Sequence, residues 1–491
     1  MPEYSRPARR PQPTRPRGGP AGRDGTVKPS GPPAEHSAGP ASPATTPHPA
    51  RVDDPWESFL SRDNLSRALR RVETNRGAPG PDGMMVEALR PHLKVAWSAI
   101  RVQLDAGTYR PSPVRRVMIP KPGGGERELG VPTVTDRFLQ QALSQVLSPI
   151  FEPIFSDRSF GFRPGRSAHQ AVEAARAAIE TGRTFVVDVD LDRFFDRVNH
   201  DALMARVARR IGDRRILGLI RRYLDAGVMV GGVTLATTEG TPQGSPLSPL
   251  LANIMLDDLD HELEQRGHTF VRYADDLRVY VASERAATRV LEGVTTFVER
   301  RLHLRVNQAK SGIAPATVRG LLGFGFLRHG GRVRVRLERK TKARLRARLR
   351  DLTDRHRSIA MPVRLALINR FLTGWAAYFA LADTPSVFDE VDEWLRRRLR
   401  QVRWKEWKRP AARRRNLRAL GIPDDKARMW GGSRKGYWRM AGSAPLSRAM
   451  PIRYWTDLGL VPLGLRVRQL REHWRTAGCG PARPVVWEGS V

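Results

Sequence analysis

The sharpest alternation of apolar and polar positions runs from Thr184 to Asp196. Val187, Val189 and Leu191 fall on one face and Asp188, Asp190 and Asp192 on the other, which predicts a strand. A second pattern pairs Thr269-Phe270-Val271 with Val279-Tyr280-Val281, two β-rich runs that predict a hairpin carrying Asp275 and Asp276 at its tight end. A third has Val114 to Pro120 and Glu126 to Val131 flanking Lys121-Pro122-Gly123-Gly124-Gly125, again a hairpin. Helical spacing predicts helices over Trp56 to Val72, Leu93 to Leu104 and Phe138 to Leu147, and one capped by Ser167 that runs to Ile179. Further helices are predicted over Asp201 to Ile211, Ile216 to Leu224, Leu250 to Leu263, Arg285 to Arg301, Arg339 to Arg357 and Val363 to Phe379. Arg396 to Arg415 sets basic residues around Trp404 and Trp407, and no internal repeat is evident. Strands and helices mixed in this way imply an α+β protein.

Acids crowded on one strand face and at one hairpin tip are costly, because like charges held close disfavour one another's ionised form. Cations must meet them. A divalent metal would, and two-metal sites activate an attacking oxygen and stabilise a leaving one. A solvated turn is the alternative for Asp275 and Asp276 taken alone, and the Asp190 strand is the second carboxylate source that a metal site needs.

Composition changes the picture. The chain has 491 residues, more than one core usually serves, and carries a formal charge of +35 with a pI near 11.4. Arginine is spread over the whole length, so a polyanion is the expected partner, and nucleic acid fits best. A membrane surface fits poorly: no apolar run reaches the roughly 18 residues of a spanning helix. The first residues lack the apolar segment of a secretory signal. The single cysteine, Cys479, allows neither an internal disulfide nor a cysteine metal cluster. The cytoplasm is the compartment expected, with nucleoid association when the protein is on DNA. Residues 1–52, rich in Pro, Gly and Arg, bury too little to order themselves and are expected to be disordered. Basic residues interleaved with aromatics around Arg403, Trp404, Lys405 and Lys408 suit stacking on RNA bases. Core tryptophans under a charged helix surface are the other reading.

The ordered set of motifs resembles the reverse transcriptase and maturase encoded by bacterial group II introns. Between residues 55 and 475 stand Asn75 to Gly83, Ile119-Pro120-Lys121-Pro122, Phe160-Gly161-Phe162-Arg163-Pro164 and the Asp190 strand. Pro242-Gln243-Gly244-Ser245-Pro246-Leu247-Ser248-Pro249, Tyr273-Ala274-Asp275-Asp276 and Leu322-Gly323-Phe324 follow in the family's order. Leu372 to Phe379 and Ser433-Arg434-Lys435-Gly436-Tyr437-Trp438 look like the maturase region.

The resemblance implies a right-hand polymerase fold: fingers and palm over 53–335, a helical thumb and maturase domain over 336–415, and a basic C-terminal region over 416–491. It implies that Asp190, Asp275 and Asp276 hold two Mg²⁺ ions, with Asp188 and Asp192 matching the motif less well. Lys121 and Arg127 would contact the incoming triphosphate, Phe195 would lie beneath the sugar and exclude a 2′-hydroxyl, Gln243 would line the nucleotide pocket, and Lys310 would assist. Arg434, Lys435, Tyr437 and Trp438 would join the RNA surface. Implied partners are group II intron RNA, an RNA template with its DNA primer, deoxynucleoside triphosphates and target DNA. Few residues follow Cys479, with no paired cysteines or clustered histidines, so the His/Cys-rich endonuclease domain of some relatives is expected to be absent. Two other readings stay open: an RNA-binding maturase without a polymerase role, and a host-adapted reverse transcriptase in DNA repair or phage defence.

Overall fold

The computed structural model describes residues 54–120, 125–230, 233–235, 239–241 and 244–476, with the backbone alone at 127, 230 and 233–235. Residues 1–52, for which disorder is expected, lie outside the described residues. The chain opens with α1 (Pro55–Leu60) and α2 (Arg62–Asn75). Sequence periodicity predicts one helix here, but Ser61 takes an extended backbone and its hydroxyl accepts from the Asn64 N–H, starting a new helix. Then come α3 (Leu89–Asp105), β1 (Val114–Pro120), β2 (Glu126–Val131), α4 (Val134–Phe151) and α5 (Ala168–Glu180). Ser167 caps α5 as expected, within a capping box completed by Gln170.

The middle of the chain holds β3 (Phe185–Val189), α6 (His200–Ala208), α7 (Arg214–Asp225), β4 (Val228–Val230), β5 (Val233–Leu235) and α8 (Ser248–Gln265). It continues with β6 (Thr269–Tyr273), β7 (Asp276–Val281), α9 (Glu284–Arg301), β8 (Gly312–Pro315), β9 (Phe324–His329) and β10 (Arg332–Leu337). Helices alone follow among the described residues: α10 (Arg339–Leu352), α11 (Met361–Phe379), α12 (Pro385–Glu406), α13 (Pro410–Ala419) and α14 (Asp424–Gly431). The last are α15 (Tyr437–Ala441), α16 (Ala444–Ala449), α17 (Ile452–Asp457) and α18 (Leu463–Thr476). None of the helices in the described residues is long and apolar enough to cross a membrane.

Three sheets organise these elements: β2-β1-β4-β5, β6-β7-β3-β8 and the two-stranded ribbon β10-β9. The β6-β7-β3-β8 sheet is antiparallel and apolar on both faces, which divides the molecule into two cores. Val187, Val189 and Val279 join a core that includes α4, α8 and α9. Val186, Val271 and Tyr280 point the other way, into a core shared by α5, the ribbon and helices from α10 to α18. The C-terminal helices are tied into that second core, since the N–H groups of Leu463 and Gly464 at the start of α18 both donate to Asp392 of α12 at 2.8 Å.

One further helix prediction needs correction. The helix expected to reach Arg357 ends at Leu352, where the buried Arg364 guanidinium donates to the carbonyls of Leu352, Asp354 and Arg357 and fixes a turn. The basic stretch Arg396 to Arg415 spans two helices: α12 ends at Glu406, and Pro410, which cannot continue a helix, starts α13.

Candidate active site

The hairpin β6–β7 closes with Tyr273 opposite Asp276, leaving Ala274 and Asp275 as a two-residue turn. Ala274 has φ of 58°, a left-handed conformation that a non-glycine residue adopts only when its surroundings hold it there. The holding is done from behind. Arg272 is 1% exposed and its Nη1 donates to the Ala274 carbonyl at 2.9 Å and to Asn253 Oδ1 at 3.0 Å. Its Nε and Nη2 bond both carboxylate oxygens of Asp260 on α8, at 2.7 and 2.5 Å. Asn253, also on α8, donates in turn to the Gly161 carbonyl at 2.9 Å. Gly161 lies so close to the turn that a Cβ there would come within 2.3 Å of the Ala274 nitrogen, so only glycine fits.

The expected strand carrying three acids is shorter than the alternation suggests. It ends at Val189, and Arg193 takes a left-handed φ of 48° that turns the chain into a short 3-10 turn over Phe194–Asp196. The faces of Val187, Val189 and Leu191 are as expected, all three in the first core. Each acid meets a different protein cation. Asp188 is buried opposite Arg278 and pairs with it at 2.7 Å and with Arg319 at 3.0 Å. Burial pushes its carboxyl above the usual range against the pull of Arg278. Asp192 pairs with Arg197 at 3.0 Å, and Asp190 lies 3.5 Å from the Lys310 amine. Asp188 and Asp192 thus belong to structural ion pairs. Asp190 is partly exposed and follows the last registered pair, Val189 with Leu277, next to which Asp276 opens β7.

Asp190, Asp275 and Asp276 therefore come to one end of one sheet. Asp276 accepts from Arg278 Nε at 3.2 Å, so Arg278 links it to Asp188 behind. A cavity of about 920 Å³ opens in front, lined by Asp190, Asp275, Lys310, Phe195, Glu128 and Gly130 among others. Among the described residues no three acidic, histidine or cysteine side chains already close around one point. The donors that meet here are carboxylate oxygens only, which suits hard cations such as Mg²⁺.

Phe195 is half-buried, packed edge-on to buried Phe194 with ring centroids 5.1 Å apart, and borders the cavity. Lys310 borders it too. Lys121, Gln243 and the side chain of Arg127 lie outside the described residues, although the β1–β2 hairpin that carries Arg127 forms as expected, with Ile119 opposite it.

The helical region reassigns one residue. Trp404 is 1% exposed in the second core, under the Arg413 guanidinium at 4.5 Å, so it packs inside and offers no stacking face. Arg403 donates to the Tyr454 hydroxyl and pairs with Glu406, while Lys405 lies 3.4 Å from the His356 ring nitrogen. Lys408, Arg434 and Lys435 are exposed. Trp438 is 38% exposed with the Arg397 guanidinium 4.0 Å from its ring, and half-buried Tyr437 has Arg355 at 5.1 Å. The apolar-polar pattern overlooked Arg272, Asp260 and Asn253. Their signal is an arginine inside the strand Phe270-Val271-Arg272-Tyr273 and an aspartate between Leu259 and Leu263 on a buried helix.

Residues 119–326 match the family described as reverse transcriptase (RNA-dependent DNA polymerase), and residues 342–421 match the group II intron maturase-specific domain. Protein YkfC of Escherichia coli is 35% identical over 305 residues, 54% of this chain and 79% of that protein. The group II intron-encoded protein LtrA of Lactococcus lactis is 38% identical over 218 residues, 44% of this chain but only 36% of LtrA. Among solved structures, a partial Cas6-RT-Cas1–Cas2 complex is similar at 27% identity over 49% of this chain and 42% of that one, with a TM-score of 0.33. The fold is α+β and of the right-hand polymerase class, with the antiparallel β6-β7-β3-β8 sheet as its palm and a helical C-terminal region after it. The acids at the end of the palm sheet and the maturase-type helices behind them are parts of one protein, and the chain belongs to the family of reverse transcriptases that carry a group II intron maturase-specific domain.

Proposed function

We propose that this protein is the RNA-directed DNA polymerase of a group II intron, and that it also binds its intron RNA to assist splicing and retrohoming. The observation that carries the polymerase part is the meeting of Asp190, Asp275 and Asp276 at one end of the palm sheet, beside a cavity that Phe195 and Lys310 border. In this reading the three carboxylates hold two Mg²⁺ ions. When bound, such ions stabilise the attacking 3′-oxygen and the leaving pyrophosphate oxygen. The chain's own residues do the positioning. Arg272 fixes the turn that presents Asp275, and Arg278 orients Asp276 from behind. Lys310, with a side chain 65% exposed, would move from Asp190 to a triphosphate oxygen, where Lys121 and Arg127 would join it. Phe195 would exclude a ribose 2′-hydroxyl, and Gln243 would line the base pocket.

The intron-RNA part rests on the +35 charge, the maturase-specific match, and the exposed set Lys408, Arg434, Lys435 and Trp438. The working boundaries are 53–335, 336–415 and 416–491, with target DNA and deoxynucleoside triphosphates as further partners. Action in the cytoplasm, on the nucleoid when DNA is engaged, goes with these partners. Primer extension on an RNA template tests the reading. DNA synthesis should stop on chelation of divalent ions and return with added Mg²⁺. Synthesis that survives chelation, or incorporates nothing on RNA, would overturn it.

A further inference from the structure

The ribbon β9–β10 turns through Gly330 and Gly331 and is strictly two-sided. Val333, Val335 and Leu337 are buried, while Arg332, Arg334 and Arg336 are exposed between them. Their cross-strand neighbours are His329, Leu327 and Gly325, so none faces a carboxylate across the ribbon. Arg336 lies across Gly325, within 3.4 Å of where a Cβ would stand, and donates to the Thr317 carbonyl at 3.1 Å. Arg332 and Arg334 have no ion-pair or hydrogen-bond partner among the described residues. From Arg328 to Arg350 the chain carries eleven lysines and arginines against one acid, Glu338.

A solvated surface mixes signs, because a row of like charges raises its own energy. Charges that only guard a ribbon edge are most often lysines. This row is all arginine, whose planar fork matches phosphate oxygens in pairs. Leu327, opposite Arg334 and 45% exposed, puts an apolar patch in the middle of the row. A sugar or base can cover such a patch; counterions cannot. Spacing agrees: from Arg332 to Arg336 is about 14 Å at roughly 3.4 Å per strand residue. One nucleic-acid strand brings about four phosphates over that length. The base of the ribbon is near the catalytic turn, since the Glu338 carboxyl that follows β10 is within electrostatic reach of Asp276 and Arg278. Neither matched family region includes residues 327–341.

We propose that the exposed face of this ribbon is a phosphate track for an RNA strand, with Arg332, Arg334 and Arg336 on alternate phosphates and Leu327 against a sugar or base between them. The proposal rests on reading the chain as an RNA-binding reverse transcriptase, and its test separates the two. The full-length protein is titrated with a uniform-sequence RNA oligonucleotide of about 16 nucleotides, within the span of single-strand sites, over a range of salt concentrations. The same is done for the double variant Arg332→Gln with Arg334→Gln, and for a control of equal charge, Arg285→Gln with Arg289→Gln on the exposed face of α9. The slope of log affinity against log salt should fall by about 1.4 in the ribbon variant, at roughly 0.7 per phosphate of single-stranded RNA. The control should keep the wild-type slope, and both variants should melt with the wild type. An unchanged slope in the ribbon variant, an equal fall in the control, or a fall seen only with DNA of the same length would overturn the track. A wild type whose affinity ignores salt would overturn the RNA-binding reading itself, and the track with it.

Discussion

Two arginines show how differently one side chain is used in this molecule. Arg272 in the palm is sealed from water and donates to four acceptor atoms, one of them the Ala274 backbone carbonyl. Arg334 on the ribbon is exposed and has no partner among the described residues. The palm thus spends positive charge on geometry. The ribbon leaves Arg332 and Arg334 exposed, with no carboxylate opposite them. A buried guanidinium is tolerable only with its partners in place, because desolvating a charge is expensive. An exposed one costs little, and on meeting phosphate it releases counterions condensed on the nucleic acid. The net charge of +35 is therefore a poor guide to where RNA sits; burial and partnering sort the arginines instead.

The largest effect expected from breaking this division comes from Arg272→Met. It leaves Asp260, fully buried, without its partner, and should destabilise the fold by about 3–5 kcal/mol. Chemical denaturation measures it, and a loss below about 1 kcal/mol would mean that the pair is not structural. Gly161→Ala comes next. The added methyl would meet the Ala274 backbone, and a shift of the catalytic turn by about 1 Å should cost about 10²-fold in the rate of nucleotide addition with RNA affinity unchanged. Single-turnover extension reads it, and a wild-type rate would show that the turn tolerates displacement.

On the other side of the comparison, Trp438→Ala should weaken RNA binding by about 1–3 kcal/mol, the range for one stacked base, with extension of a pre-bound primer unaffected. Equal binding by the variant would remove Trp438 from the RNA surface. The smallest effect sharpens the palm side. Phe195→Ala should raise ribonucleotide incorporation relative to deoxyribonucleotide roughly tenfold, since the discrimination is steric. Single-nucleotide kinetics decide this, and an unchanged ratio would make Phe195 a core aromatic.

The legibility of these features in the sequence follows the same divide. The palm hairpin, its two aspartates and the β1–β2 hairpin were readable because alternation with period two and tight-turn spacing are local signals. Apolar alternation also sorted Val187, Val189 and Leu191 correctly. What it missed depends on partners far along the chain. Asp188 looked like a metal-site acid until Arg278 and Arg319 appeared beside it, 90 and 131 residues away in sequence. Trp404 looked like a stacking platform because basic residues surround it locally, but a helix buries one face and exposes the other. The break between α12 and α13 has a local signal in Pro410, which starts α13. The brace of Arg272, Asp260 and Asn253 was partly visible, as charged and polar residues at positions where the pattern called for apolar ones.

Catalysis at the palm turn and RNA binding by exposed basic surfaces should be separate properties of one chain. The variant with Asp275→Ala and Asp276→Ala tests this separation, with primer extension and intron RNA binding measured on the same preparation. Losing both carboxylates should reduce extension on an RNA template to background, while RNA is bound with wild-type affinity and salt dependence. Extension that persists, or RNA binding that is lost from a variant that still melts like the wild type, would contradict the claim.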